Sequence, residues 1–160
     1  MAVIFSAREV AEAAVEKERQ RRSFYATVCE LSTNDKMKAL FQFLTEEEDR
    51  HVTAFSQIRD GLPQDDSHSD EYTDDMEAYM DSVIDDRLYS KIDSKEFVQK
   101  AISGQNVFQL AIGFEKDAIL YFREFLPYLT EADQKIVEEL INQEKGHIRM
   151  LADMEKRLAE

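Results

Sequence analysis

The sequence predicts an all-α domain, a bundle of four long helices with a long helical crossover between the second and the third. The 160 residues contain only Gly 4 and Pro 2, so few positions interrupt a helix. Apolar side chains recur at intervals of three and four residues over long stretches, which is the period of a helix with one buried face. Hydrophobic residues make up 43% and charged residues 34%, a composition typical of one folded domain spanning residues 1–160.

The first two long helices have clear boundary signals. Ser6 and Glu9 form a capping-box pattern, and an apolar periodicity without Gly or Pro follows, so the first helix is placed at about 6–31. Cap and turn residues then begin a second helix at about 35–60, and Gly61 with the proline that follows ends it. Both helices are long enough to span a small domain.

The crossover is placed at 61–103. It opens with a loop rich in Asp and Ser, and we expect a short helix at about 74–88 and another beginning at Asp93. The third long helix is placed at about 105–126 and the fourth at about 131–159. A long second connection between two helical pairs is one of the known topologies of four-helix bundles.

Charge and cysteine content exclude several classes of function. The net charge of -14 argues against a nucleic-acid partner or an anionic membrane partner, because phosphate binding needs clustered Lys and Arg. The single cysteine, Cys29, excludes an internal disulfide framework and a CxxC metal ribbon, and it favours a reducing cytoplasm. No apolar run approaches about 18 residues, so neither a membrane span nor a signal peptide is indicated.

Two of the helices share a Glu-x-x-His pattern. The second carries Glu48 and His51, and the fourth carries Glu144 and His147. Residues three apart lie on one helical face, so each pair can direct a carboxylate and an imidazole at the same point. Both pairs interrupt an apolar stripe, where an ionised carboxylate is strongly destabilising unless it meets a cation.

The first and third long helices each carry one glutamate on a similar apolar stripe, Glu18 and Glu115. All of these positions lie near the middle of their helices, so side-by-side packing brings four Glu and two His to one level. Such a set can bind two metal ions with bridging carboxylates, and its oxygen and imidazole ligands suit iron or manganese. The alternative is a helical bundle whose charged side chains face solvent.

Four stretches of this chain, one from each long helix, resemble the rubrerythrin-related members of the ferritin-like superfamily: EKERQRRSFY, LTEEEDRHVTAF, AIGFEKDAILYF and INQEKGHIRML. The resemblance implies a ferritin-like four-helix bundle that holds two iron ions per chain, with manganese possible. The metal ligands it implies are Glu18, Glu48, His51, Glu115, Glu144 and His147. Tyr25 matches a family tyrosine that hydrogen-bonds a ligand carboxylate, and core packing is an equally good interpretation of it.

The resemblance also implies an activity. The chain would be an oxidoreductase that reacts with dioxygen or hydrogen peroxide, as a peroxidase or a ferroxidase, with electrons from a separate donor, and it would form a homodimer. Three departures limit the comparison. One cysteine cannot build the rubredoxin-like domain of full-length rubrerythrins, Ala118 stands where rubrerythrins proper have a further glutamate, and Arg21 stands where related sequences often have Gly.

Two other functions remain open from the sequence. Iron handling or storage without an organic substrate predicts a large shell-like assembly and oxidised iron beyond two ions per chain. A metal-free interaction module predicts a thermal stability that ignores added metal. The metal, the oxidant, the electron donor and the oligomeric state are therefore questions for measurement.

Overall fold

The structure is a computed structural model that describes residues 7–62, 92 and 94–159, and this part of the chain is all-helical and contains no strand. The helices are α1 (Ala7–Leu31), α2 (Asp35–Gly61), α3 (Lys95–Ser103), α4 (Val107–Phe125) and α5 (Glu131–Ala159), with a 3-10 turn at Leu126–Tyr128. The all-α prediction is confirmed, and all four long helices are present. No helix among the described residues is both long and apolar enough to cross a membrane.

Most predicted boundaries agree with the structure, and two differ for local reasons. The helix placed at 105–126 begins two residues later, because Gln105 has a φ of 60° and so lies outside the helical region. The short helix α3 is capped by Ser94, whose side chain accepts a hydrogen bond from the Phe97 amide at 3.1 Å, so it begins one residue later than a cap at Asp93 predicts. Ser6 and the helix predicted at 74–88 lie outside the described residues.

The two helical pairs contact one another along their lengths. Helix α1 packs along α2 and α4 packs along α5, and contacts from α1 to α4 and from α2 to α5 join the pairs. The connections within each pair are short, so its helices run antiparallel. Phe55 and Phe122 meet between α2 and α4 with ring centroids 4.7 Å apart, and the buried hydroxyl of Tyr121 donates to the Val10 carbonyl at 2.9 Å. The core therefore lies between the four long helices.

The glutamates predicted as ligands lie at the centre of this arrangement. Glu18, Glu48, Glu115 and Glu144 each lie within one residue of the midpoint of their helix. Helix midpoints meet at one level when helices of comparable length pack side by side. The connection between α2 and α3 falls largely outside the described residues, so the ferritin-like topology stays a prediction.

The N-terminus of α2 is capped by the side chain of Asn34, and this cap can be tested by mutation. The Asn34 side chain accepts a hydrogen bond from the Met37 amide at 3.0 Å, whereas Asn106 at the start of α4 makes no such bond. We expect Asn34→Ala to lower the free energy of unfolding by about 1 kcal/mol, because it leaves a helix N-terminal amide without this partner. Asn106→Ala is the matched control and should change stability far less. Urea denaturation measures both, and equal losses would contradict a capping role for Asn34.

Candidate metal centre

The six predicted ligands come together inside the protein at the middle of the long helices. All of them are buried, with side chains 0% to 3% exposed. They form two overlapping groups: Glu18, Glu48, His51 and Glu144 in the first, and Glu48, Glu115, Glu144 and His147 in the second. Within each group one ligand atom from every residue lies within 4.8 Å of the others. That spacing is compatible with a shared metal ion at the centre of each group.

The two groups share a pair of carboxylates. Glu48 and Glu144 belong to both groups, whereas each group has one glutamate and one histidine of its own. A carboxylate has two oxygens and can therefore bind two neighbouring cations at once. The arrangement divides into two adjacent positions, which we call the Glu18 position, with His51, and the Glu115 position, with His147.

The imidazoles present their Nδ1 atoms to the carboxylates. Nδ1 of His51 lies 2.6 Å from an oxygen of Glu144, and Nδ1 of His147 lies 3.5 Å from the other oxygen of the same carboxylate. The two rings are stacked, with centroids 5.8 Å apart and planes 13° from parallel. Each imidazole therefore lies beside a different oxygen of one shared carboxylate, which suits one nitrogen ligand for each of two neighbouring ions.

Gln143 orients one of these imidazoles. Its side-chain oxygen lies 2.8 Å from Nε2 of His51, so a hydrogen bond there places a proton on Nε2 and leaves Nδ1 for the carboxylate cluster. Sequence reasoning missed this residue. Gln143 is adjacent to Glu144 in the chain, and neighbours along a helix point about 100° apart, so the stripe that identified the glutamate gave no signal for the glutamine.

Many polar atoms of the cluster make no hydrogen bond of acceptable geometry within the part of the chain that the structure describes. They are Glu18 Oε2, both oxygens of Glu48, His51 Nδ1, Glu115 Oε2, both oxygens of Glu144 and His147 Nδ1. Buried polar atoms nearly always have a partner, and buried carboxylates need a cation. These carboxylate oxygens and imidazole nitrogens are the donors that a hard or borderline divalent metal prefers, so the residues present fit a pair of such ions.

Tyr25 contacts the cluster as the resemblance implied. Its buried hydroxyl donates a hydrogen bond to Oε1 of Glu115. The centroid of its ring lies 5.7 Å from the ring centroid of Phe41. The hydrogen bond fixes one oxygen of Glu115, while the other oxygen belongs to the set without a hydrogen bond. A part for Tyr25 in catalysis stays a prediction.

Arg21 also enters the centre, a placement that the sequence did not predict. The side chain is 2% exposed, and one terminal nitrogen donates to Oε1 of Glu18 and lies 3.5 Å from Oε2 of Glu48. The other terminal nitrogen donates to the Phe114 carbonyl at 3.0 Å. Arg21 therefore adds a fixed positive charge beside the Glu18 position.

The carboxylates of the cluster do not titrate alike. Burial raises the pKa of Glu48 well above its usual range, and the neighbouring charges of Glu144 and Glu18 raise it further, against the opposing charge of Arg21. Burial acts in the same direction on Glu18 and Glu144, but the positive charge of Arg21 and the hydrogen-bonding contacts with His51 together outweigh burial and lower the pKa of both carboxyls. Of these three carboxyls, Glu48 is therefore the one that binds a proton most readily in the metal-free protein.

His51 is held in its protonated form by the same cluster. Burial by itself lowers the pKa of His51, but the polar contacts with the carboxylates of Glu144, Glu18 and Glu48 outweigh burial and raise it far above the usual range. In the metal-free protein at neutral pH, His51 is therefore a positively charged imidazolium with a proton on each ring nitrogen. A metal ion that binds Nδ1 has to displace the proton on that atom.

At position 118 the chain differs from the family that its sequence resembles. Ala118 is buried in the core, where rubrerythrins proper have a glutamate three residues after the α4 ligand. Within the described residues the two ligand groups consist of the six predicted side chains and no others. A reaction cycle that needs an additional carboxylate at this position is therefore not supported.

Comparison of the chain with protein-family models, with curated proteins and with solved structures found no significant match. The rubrerythrin resemblance therefore rests on the four quoted stretches alone. The buried cluster of Glu and His at metal-binding spacing stands independently of it.

Proposed function

We propose that this chain is a di-metal oxidoreductase, with iron as its metal and manganese as the alternative, that reacts with dioxygen or hydrogen peroxide. The observation that carries the proposal is the sharing of Glu48 and Glu144 by two buried ligand groups, each with its own glutamate and histidine. The ferritin-like di-iron bundles that the sequence resembles use this ligand set.

Each metal ion would have two ligands of its own and would share two further ligands with the other ion. Glu18 and His51 would bind one ion, Glu115 and His147 the other, and the shared carboxylates would bridge them. When bound, two ferrous ions supply two electrons at one place, which is what the reduction of peroxide to water requires. The four carboxylates supply the negative charge that attracts divalent ions, and a single ion together with the buried Arg21 leaves part of that charge uncompensated.

The surrounding residues orient the ligands and exclude water. Gln143 orients the His51 ring through a hydrogen bond at Nε2. The hydroxyl of Tyr25 donates a hydrogen bond to one oxygen of Glu115 and so positions that carboxylate. The neighbouring positions on the ligand faces are apolar and buried, among them Leu44 and Phe55. Such a lining keeps bulk water away from reactive species.

The Glu115 position is the closer of the two to the surface. His147 retains 3% exposure, and the ring of the partly exposed Phe43 lies edge-on to it with centroids 6.1 Å apart. A small oxidant would therefore enter beside Phe43 and His147. Electrons would come from a separate donor protein or from ferrous iron itself.

The test is anaerobic reconstitution followed by exposure to an oxidant. We expect the metal-free chain to bind about two ferrous ions, and the loaded protein to consume hydrogen peroxide or dioxygen faster than free iron does. His147→Ala should reduce both quantities, whereas Glu46→Gln, on the exposed surface of α2, should change neither. A chain that holds less than one ion, or one whose loaded form oxidises no faster than free iron, would contradict the proposal.

Particle mass and iron content separate the alternatives in the same preparation. A homodimer with about two ions per chain supports the oxidoreductase. A large shell that accumulates oxidised iron well beyond this ratio would replace it with iron storage. A chain that binds no metal, with a melting temperature indifferent to added iron, would replace it with an interaction module.

A further inference from the structure

Arg21 makes the two halves of the candidate centre unequal. We infer that the Glu18 position binds its metal ion more weakly than the Glu115 position because a fixed guanidinium lies against its ligands, so that the centre fills in a set order. The inference rests on the proposed di-metal function and adds an order of binding and the residue that determines it.

The contacts of Arg21 favour one position over the other. Its nitrogen donates to Oε1 of Glu18, which belongs to the Glu18 position alone, and lies 3.5 Å from Oε2 of Glu48, which both positions share. The corresponding oxygen of Glu115 accepts instead from the neutral hydroxyl of Tyr25. A metal ion entering the first position meets a positive charge, and one entering the second meets an uncharged donor.

The guanidinium is also fixed in place and in charge. The side chain is 2% exposed, and its second terminal nitrogen donates to the Phe114 carbonyl at 3.0 Å, which anchors it to α4. Arginine does not lose its proton at any ordinary pH, so the repulsion cannot be removed by titration. Coulomb repulsion between a monovalent and a divalent cation in a buried site is large enough to lower affinity by about tenfold or more.

Charge balance points in the same direction. One divalent ion together with Arg21 leaves the four carboxylates with a remaining negative charge, which still attracts a second ion. Two divalent ions together with Arg21 exceed the charge of the carboxylates. The second ion therefore makes the net charge of the site positive, and it enters at the position beside Arg21.

The test is an anaerobic titration of the metal-free chain with cobalt(II) chloride, followed by calorimetry and by the visible absorption of the bound ion. The wild-type chain should show two binding events whose dissociation constants differ by about tenfold or more. Arg21→Gln should tighten the weaker event by about that factor and bring the two together. Arg21→Lys, which keeps the charge, should preserve the separation.

The neighbouring arginine supplies the matched control. Arg22 lies on the exposed side of α1, where it forms an ion pair with Asp49 at 2.7 Å. Arg22→Gln removes the same charge from the next residue in the chain and should leave both cobalt events unchanged. A tightening of the weaker event in both glutamine variants would show a general effect of net charge and would overturn the role of Arg21.

Two histidine variants identify which event belongs to which position without altering Arg21. His51→Ala should remove the weaker cobalt event, and His147→Ala should remove the tighter one. The opposite assignment, or equal affinities in the wild-type chain, overturns the inference while the di-metal function stands. If none of these proteins binds cobalt, iron or manganese, the proposed function fails and the inference fails with it.

Discussion

Glu48→Gln is expected to abolish paired metal binding and, at the same time, to stabilise the metal-free protein. Glu48 belongs to both ligand groups, so its loss removes a ligand from each position, and an amide does not replace a bridging carboxylate. We expect metal content to fall from about two ions per chain to less than one. In the metal-free protein the change removes a buried acid that lacks hydrogen bonds on both oxygens. Because the pKa of Glu48 is raised in the folded protein, folding at neutral pH requires this carboxyl to take up a proton, and the neutral amide of glutamine avoids that cost.

The stabilisation should depend on pH in a direction that the pKa of Glu48 determines. Its pKa in the folded protein lies above the unfolded value, so the destabilisation by Glu48 begins as pH rises above the unfolded pKa and grows until the pH reaches the folded pKa. The advantage of Glu48→Gln should be present at about pH 7 and should shrink towards about pH 4, where the carboxyl is protonated in the folded and the unfolded chain alike. Urea denaturation in the presence of a chelator measures this difference.

Glu46→Gln is the matched control, because it makes the same chemical change two residues earlier on the exposed face of α2. Glu46 accepts a hydrogen bond from the exposed Gln42 side chain at 3.0 Å and lies outside both ligand groups. Metal content should stay unchanged, and stability should stay within about 0.5 kcal/mol of the wild type. Full metal content in Glu48→Gln would show that the ligand assignment is wrong. A loss of stability in its metal-free form would show that the buried acid is satisfied in a way that the cluster geometry does not account for.

The helices were predictable because their signals are local. A period of three to four apolar residues and a capping side chain act within one or two turns, so the observed ends of the long helices lie within two residues of the predicted ones. The predicted start of α4 was two residues too early because Gln105 adopts a positive φ. Residues other than glycine rarely adopt this conformation, so the sequence does not indicate it.

The site was predictable because charged and polar side chains stand at helix positions whose neighbours on the same face are apolar. A glutamate in the middle of an apolar stripe is costly when buried, and the conflict recurs at matching heights on four helices. The structure brings these residues together as expected. Arg21 and Gln143 could not be placed in this way, because their contacts depend on how far each helix is rotated about its axis and on which rotamer a long side chain adopts. The same tertiary details decide that Glu48 and Glu144 are the shared carboxylates.

Added metal is expected to stabilise the wild-type chain strongly. The cluster holds carboxylates at mutual distances that only a cation makes favourable, so an ion that binds the folded chain and not the unfolded one shifts the equilibrium towards folding. A free concentration one hundred times the dissociation constant contributes about 2.7 kcal/mol at one site. Two such sites should raise the melting temperature of a chain of this size by roughly 10 to 20 °C. A chelator should reverse the shift, and Glu48→Gln should largely lack it.

The stabilisation by metal should weaken as pH falls, because the ions compete with protons for the same atoms. The pKa of Glu48 and the pKa of His51 are both raised in the metal-free protein, so metal binding at neutral pH releases a proton from each. Each displaced proton makes the apparent affinity about tenfold weaker for every unit of pH lost. Between about pH 8 and about pH 6 the metal-dependent increase in melting temperature should therefore decline steadily. Titration calorimetry in buffers of different ionisation enthalpy counts the released protons, and a metal-binding enthalpy that does not vary with the buffer would contradict the protonated state of the cluster.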